Sequence, residues 1–554
     1  MQVKVHSCEI YELISAINID AHRYQKSYYQ YICQVVYHHV GGDDEIVHFK
    51  HNDYRIIAKA AVIPSILVVF ISLLLLSPVS LFVIVAYATY LSPPAVPPFQ
   101  NTAGTVNNQA GFIVPKASNG GITFPPGGGT TTFSFPVWYG VGDFDRDGRD
   151  EIVAYHNSDG RWEIGDIFDN EIIWREAGKT FFGNLLDDKH WITIGEFNGD
   201  GYVDILFHYG EDGNWWLGTM VDDNNRLRHI LTWHQIGDTR GAGLPNNFGN
   251  LLDNSHLLII GDFNKDLRTD IMMHYSTDGN WFVGQLNTNN NQLEWHGAGN
   301  TRGRGGSTIN FGDLFDGRHA ITAGDFTSSG RSNILFHFAT DGHWWLGVLN
   351  TQTNQLEWNG VGDTHGVGSS VELGDLLDRN SARTVIVGNF DTDHRDDIAV
   401  YIMNPGQWMF GTFGRSGNLL EWHPVGTSSF GDLANGQHWI TNDFIISNLP
   451  YGQKDILFHN SVDGHWFLGV FDSPHNNALS WQKIGDTRGS DATNDFGNLF
   501  DGMHELWSGD FDLGGQKILF HHERDGNWFL GTSDSVNKIL KWDFLPQYEV
   551  VPRR

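Results

Sequence analysis

The chain is short of cysteine, of positive charge and of catalytic signatures, and each shortage excludes something. Its 554 residues hold only Cys8 and Cys33, so residues 34–554 contain no disulfide and must be made rigid by other means. Lys and Arg number 35 against 65 Asp and Glu, a net charge of -30. Such a surface repels a polyanion, and nucleic acid is not expected as a partner. No nucleophile–base–acid set, phosphate-binding loop or His-Glu-x-x-His motif is found, so the chain is not expected to be an enzyme. After residue 91 there is no Asn-x-Ser/Thr acceptor either, and N-glycosylation is not expected.

Charge is missing altogether from Ala60 to Leu91, which includes "VIPSILVVFISLLLLSPVSLFVIV". About 20 apolar residues span a bilayer as a helix, so this run predicts one transmembrane helix despite Pro64 and Pro78. Lys50, Arg55 and Lys59 precede it and the first charge after it is Lys116; the positive-inside rule then predicts a type II protein with its large C-terminal part outside the cell. Cleavage near Ala88, in "AYA", is the alternative, although the run begins far from the N-terminus for a signal peptide. The expected organisation is a cytoplasmic segment 1–59, a signal-anchor 60–91, a Pro/Gly/Thr-rich linker 92–135, a repeat domain 136–545 and a tail 546–554.

Aromatics are abundant, with 20 Trp. Gly-x-Trp-x-x-Gly occurs seven times, with its tryptophan at Trp162, Trp215, Trp281, Trp344, Trp408, Trp466 and Trp528. A second tryptophan follows each, at Trp174, Trp233, Trp295, Trp358, Trp422, Trp481 and Trp542. Each unit reads as four short strands: "WITIGEF" (a), an acidic turn, "DILFH" (b), an Asp-Gly turn, "NWWLGTM" (c), and a strand ending in "LTW" or "LEW" (d). Four strands in each of seven units predict an all-β, seven-bladed β-propeller. The paired tryptophans are expected to pack blade on blade.

The acidic a–b turns place oxygens at positions 1, 3, 5 and 9. Blade one has Asp143, Asp145, Asp147 and Glu151; blade two Glu196, Asn198, Asp200 and Asp204; blade three Asp262, Asn264, Asp266 and Asp270; blade five Asn389, Asp391, Asp393 and Asp397. Glycine at position 6 (Gly148, Gly201) allows the bend, with Leu267 and His394 in its place in blades three and five. Calcium takes six to eight oxygens, and alternate side chains of a tight loop can converge on one ion. Up to four structural Ca2+ sites are therefore expected. Blades four, six and seven lose most of these oxygens and read as plain turns.

The segments "GDFDRDGRDEI", "GEFNGDGYVDI" and "GDFNKDLRTDI", with "FGNLLD", "FGDLFD" and "FGNLFD", resemble the FG-GAP/VCBS repeat family. That resemblance implies a calcium-bearing propeller akin to integrin heads and fungal lectins. It leaves function open among glycan binding, protein-binding adhesion and attachment to polysaccharide-acting enzymes such as a lyase.

The face opposite the acidic turns should carry the b–c turns and the d-to-a connections. Histidines recur there at the end of strand b (His208, His274, His337, His459, His521) and before strand a (His190, His256, His319, His438, His504). The two of one blade are expected to lie close together, locking strands or, as the alternative, holding a transition metal. Four connections carry "GDTRG", "GNTRG" or "GDTHG", whose Arg240, Arg302, His365 and Arg488 either contact ligand or lock the loop. Trp216 and Trp345 each follow a core tryptophan and should point the other way. These six are the candidate ligand residues, and glycans or extracellular protein ligands the expected partners.

Overall fold

The computed structural model describes the backbone of six strands within residues 2–88, and residues 137–549 apart from short loop segments, among them 223–228, 242–245, 366–370, 445–453 and 489–493. The chain divides into two units, Met1–Val96 and Pro97–Arg554.

The first unit corrects one expectation. Tyr54–Ile63, Ile66–Leu73 and Val83–Ala88 are strands of a six-stranded antiparallel sheet that runs in chain order. No helix among the described residues is long and apolar enough to cross a membrane. Valine and isoleucine recur within these strands, at Val62, Ile63, Ile66, Val68, Val69, Ile71, Val83, Ile84 and Val85, and such residues lose rotamer freedom in a helix and fit a pleated surface. Pro64 lies between two of the strands and Pro78 between the next two, where helix-breaking residues are tolerated. The linker expected at 92–135 lies outside the described residues.

The second unit is the expected all-β ring of seven blades, each built from four consecutive antiparallel strands, with a fifth strand added to the sheet of blade one. Blade two shows the plan: His190–Gly195 (a), Asp204–Tyr209 (b), Asn214–Asp222 (c) and His229–Asp238 (d). Strands a adjoin one another between blades one and two and from blade three to blade seven, and that of blade seven (His504–Gly509) meets that of blade one (Val137–Gly142).

Tryptophan makes the blade-to-blade contacts. Each strand-c tryptophan is fully buried and its ring meets the strand-d tryptophan of the next blade: Trp162–Trp233 at 5.0 Å, Trp215–Trp295 at 5.8 Å, Trp281–Trp358 at 5.7 Å, Trp344–Trp422 at 5.6 Å, Trp408–Trp481 at 5.2 Å and Trp466–Trp542 at 5.5 Å. The seventh pair, Trp528–Trp174 at 6.1 Å, closes the circle. Phenylalanines of the Phe-Gly elements wedge into five of these seams. Phe182, Phe248, Phe311, Phe430 and Phe496 lie 4.8–5.4 Å from Trp233, Trp295, Trp358, Trp481 and Trp542. Such aromatic burial replaces the missing disulfides as the source of rigidity.

Closure uses a strand that the sequence does not announce. Gln547–Glu549, within the expected tail, pairs parallel to the outer strand Glu171–Lys179 of blade one. Ile172 N–H donates to Pro546 O at 2.8 Å, and Trp174 Nε1 donates to Gln547 Oε1 at 3.1 Å. The alternative closing segment, "TTTFSF", lies outside the described residues.

Candidate functional site

The acidic turns form on one face. In blade one, Asp143, Asp145, Asp147 and Glu151 each present an oxygen within 4.8 Å of the others, and Asp391, Asp393 and Asp397 do the same in blade five. Local hydrogen bonds build this convergence. In blade one, Asp147 N–H donates to Asp145 Oδ1 (3.0 Å) and Gly148 N–H to Asp143 Oδ2 (3.1 Å). Blade two has similar turn bonds, Asp200 N–H on Asn198 Oδ1 (2.8 Å) and Gly199 N–H on Glu196 Oε1 (2.6 Å), as does blade three, Leu267 N–H on Asp262 Oδ2 (2.9 Å) and Asp266 N–H on Asn264 Oδ1 (2.7 Å), but the carboxylates of these two turns are not gathered within that distance. Position 6 is left-handed throughout, at φ 88° for Gly148 and 84° for Gly201, and equally at 66° for Leu267 and 64° for His394. A leucine held there is strained, so the turn geometry is imposed by its surroundings.

The position-9 carboxylates are buried under the turn. One oxygen of each accepts the N–H of position 2, from Phe144 to Glu151 (2.8 Å), Phe197 to Asp204 (3.0 Å), Phe263 to Asp270 (3.1 Å) and Phe390 to Asp397 (3.1 Å). Burial first, and neighbouring carboxylates next, push Glu151 up to about 9 and Asp270 and Asp397 well above the usual range. Burial likewise raises Asp204. In blade five, Asp397 Oδ1 and Asn389 Oδ1 are both buried with no hydrogen-bond partner. A buried carboxylate oxygen facing two further aspartates is costly unless a cation or a proton joins them.

Blades that lose acids also lose the need for a cation. In blade four, Thr327 Oγ1 donates to Ser329 Oγ (2.8 Å) and contacts Asn333 Oδ1 (3.0 Å), while Gly330 N–H donates to Asp325 Oδ2 (2.6 Å). Asn333 there begins strand b, where the acidic blades have a carboxylate. In blade seven the equivalent residue is Lys517, whose ammonium pairs with Asp512 and supplies an internal cation. The turn of blade six lies in 445–453, outside the described residues.

On the opposite face, the Gly-Asp-Thr-Arg-Gly elements are clasps. Thr239 Oγ1 accepts Trp215 Nε1 at 3.0 Å, and Thr239 N–H donates to Gly213 O at 2.9 Å. Thr301, Thr364 and Thr487 do likewise for Trp281, Trp344 and Trp466, each at 2.9 Å. The arginines brace the b–c turn: Arg240, Arg302 and Arg488 donate to Gly210 O, Ser276 O and Ser461 O, each at 2.6 Å. His365 pairs with Glu372. Trp216 and Trp345 are half-buried against Phe182 (5.8 Å) and Phe311 (5.4 Å). The lock reading of these arginines therefore describes their contacts. The threonine, which carries the clasp, is legible only as a recurring small polar residue. Thr239→Val is expected to leave Trp215 Nε1 buried without an acceptor and to cost about 1–3 kcal/mol in urea unfolding, with Thr239→Ser near wild type.

The two histidine sets do not meet. His190 pairs with Tyr209 across strands a and b, whereas His208 pairs with Trp191, so pleating sends the two imidazoles to opposite sides of the blade. His190, His256 and His319 bond Asp187, Asp253 and Asp316 three residues earlier. His208, His274, His337, His459 and His521 lie on the strand-c tryptophans at 4.2–4.6 Å, and burial pushes each down to about 3. They are neutral core residues. Among the described residues no pair of them converges as a transition-metal site.

What does repeat at the surface of this face is a polar cluster. Register sets Asn214 opposite Asp238, Asn280 opposite Asn300, His343 opposite Asp363 and His465 opposite Asp486. A b–c turn aspartate joins each: Asp212 accepts Asn214 Nδ2 (2.8 Å), Asp278 accepts Asn280 Nδ2 (2.7 Å), and Asp341 and Asp463 pair with His343 (2.9 Å) and His465 (3.0 Å). These groups are exposed or half-buried. One seam departs from the repeat. Between blades seven and one, Glu505 Oε2 lies 3.1 Å from His521 Nδ1, burial pushes Glu505 and Glu523 up to about 8, and burial with Glu505 raises Tyr139 further.

No known protein family and no curated protein matches the chain. Among solved structures it is similar to a lectin of Agrocybe aegerita described as recognising non-reducing terminal N-acetylglucosamine, at 15% identity and a TM-score of 0.51, over 74% of this chain and 94% of that one. Looser likenesses are a Bacteroides fragilis protein described as a 6-phosphogluconolactonase (11% identity, TM-score 0.33, 76% and 98% covered) and a dihydro-haem d1 dehydrogenase (11% identity, TM-score 0.29, 81% and 81% covered). At these identities the likeness shows the propeller fold alone.

Proposed function

We propose that the chain is an extracellular, calcium-stabilised propeller that binds glycans on the face opposite its acidic turns. The observation that carries the binding reading is the fourfold cluster of carboxylate, amide and imidazole groups at the b–c turns. Vicinal sugar hydroxyls donate to carboxylates and exchange hydrogen bonds with amides, and this set offers both. The lectin-like neighbour supports the same reading. Several weak sites on one disc add up when the ligand is itself multivalent. Calcium is proposed to hold the turns of blades one, two, three and five, supported by the partnerless oxygens of Asp397 and Asn389. Export is proposed to use the charge-free run 60–91 as a signal cleaved near Ala88, and N-terminal sequencing of the protein recovered from the medium tests it.

The test is titration of the full chain with a multivalent saccharide ending in N-acetylglucosamine. Replacing Asp212, Asp278, Asp341 and Asp463 by Asn keeps a side-chain acceptor for each turn while removing the charge. The fourfold variant is expected to lose binding by tenfold or more while melting like wild type. Unchanged binding sinks the assignment of these clusters.

A second reading, an enzyme acting on polysaccharide, has one observation in its favour: the Glu505–His521 pair beside Glu523, two carboxyls held protonated near neutral pH. Glu505→Gln that abolishes a glycan-cleaving activity without altering glycan affinity would establish it.

A further inference from the structure

Blade one departs twice from the surface cluster that blades two, three, four and six repeat. Where those blades set amide or imidazole opposite carboxylate or amide, register in blade one sets Arg161 opposite Lys179. Residues directly opposite in an antiparallel pair stand side by side on one face of the sheet, and like charges so placed repel. The turn aspartate does not close the pair off. Asp159 Oδ2 lies 4.0 Å from both Arg161 Nε and Lys179 Nζ, beyond hydrogen-bond reach, and Arg161 Nε is buried with no hydrogen-bond partner. Glu163, beneath, is buried and shared by Arg161 Nη1 (2.8 Å) and His156 Nε2 (2.5 Å). The second departure is Phe181, whose ring is 88% exposed and lies 5.9 Å from Lys179 Nζ. The same place in the other connections holds Asn247, Asn310, Glu372, Ser429 or Asp495. A cation pair and an exposed aromatic ring thus replace polar residues at one spot.

Resting on the glycan reading above, we infer that this corner of blade one is a separate subsite for a carboxylated sugar, a uronic acid residue, with Arg161 and Lys179 on its carboxylate and Phe181 under its ring. A carboxylate between the two cations relieves their repulsion, and the guanidinium offers it a planar fork of donors. The apolar face of a pyranose packs on an exposed aromatic ring, as ligands do in sites that join aromatic walls to a few polar groups. A chain of net charge -30 repels anions at long range, so admitting one requires cations gathered locally. The clusters of the other blades discriminate in the opposite sense. Asp212, Asp278, Asp341 and Asp463 accept from neutral hydroxyls and repel a carboxylate, which directs an acidic sugar to blade one. Among the described residues only blade one pairs two such cations across strands c and d, so the acidic sugar gains no avidity from the ring.

Titration calorimetry of the full chain with methyl glucuronide tests this, with methyl glucoside as the neutral probe and acetate as the anion without a sugar. Wild type is expected to bind one equivalent of glucuronide about tenfold or more tighter than either control, and less tightly at high salt. Lys179→Gln and Phe181→Ala change exposed side chains. Each should weaken glucuronide by about fivefold or more, while melting like wild type and keeping affinity for the N-acetylglucosamine probe. The fourfold asparagine variant above is expected to retain glucuronide. Glucuronide held no more tightly than glucoside, or at wild-type affinity by Lys179→Gln, would overturn the subsite. Acetate binding as tightly as glucuronide would reduce it to an anion site and sink the sugar assignment. Glucuronide binding by a chain that ignores N-acetylglucosamine would overturn the repeated clusters and leave this subsite standing.

Discussion

Stripping calcium from the protein is expected to lower its melting temperature by about 10 °C or more. Each turn that binds an ion only when folded adds about 2.7 kcal/mol when free calcium stands a hundredfold above its dissociation constant. Four turns then contribute roughly 10 kcal/mol to a domain of this size, which sets the shift. Removal also leaves Asp143, Asp145, Asp147 and Glu151 within 4.8 Å of one another, with Arg149 paired to Asp147 beside them. Protons then take the ion's place. Folded-state carboxyls such as Glu151, pushed up to about 9, bind protons that the unfolded chain releases above about 4.5. In EDTA their contribution is therefore lost as pH rises through the folded value, and present at lower pH. Scanning calorimetry in calcium and in EDTA checks both points. Equal melting temperatures would contradict the cation reading.

Acid is expected to unfold the calcium-loaded protein through its histidines. His208, His274, His337, His459 and His521 are held near 3 by burial, whereas in the unfolded chain they titrate near 6.5. The unfolded state binds more protons between these values, so stability present above 6.5 is lost as pH falls toward 3. At pH 5 each histidine accounts for about 2 kcal/mol, and five for roughly 10. His274 has neither ring nitrogen hydrogen-bonded and lies against Trp281 at 4.6 Å. Replacing it with tyrosine, as found in blades one and five at Tyr155 and Tyr401, should remove about one fifth of the acid loss. Urea unfolding from pH 7 to pH 4.5 reads this. A flat profile, or His274→Tyr with the wild-type slope, would show that these histidines are not the acid-sensitive groups.

The ring was legible because its signals are local and repeated. A Gly-x-Trp-x-x-Gly hairpin in seven copies fixes strand c, and the Asp-Gly turn before it fixes strand b. Alternation then placed the acidic turns on one face and the b–c turns on the other. What the sequence hid depends on partners distant along the chain. Gln547–Glu549 has no strand signal and is held by the exposed edge of blade one. The histidines of one blade look like a pair until register puts His190 opposite Tyr209 and His208 opposite Trp191. Arg240, a cation on an acidic surface, reads equally as a ligand contact or a loop lock, and only the fold shows its guanidinium donating to Gly210 O. The apolar run 60–91 is long enough for a helix, but its described stretches belong to the strands Tyr54–Ile63, Ile66–Leu73 and Val83–Ala88.

The most direct measurement is a glycan array probed with the full chain in calcium and again in EDTA. The account predicts calcium-dependent binding to a coherent set of saccharides, lost when Asp212, Asp278, Asp341 and Asp463 become asparagine. A chain that melts cooperatively in calcium and binds no saccharide would contradict it, and would turn the same face toward a protein partner.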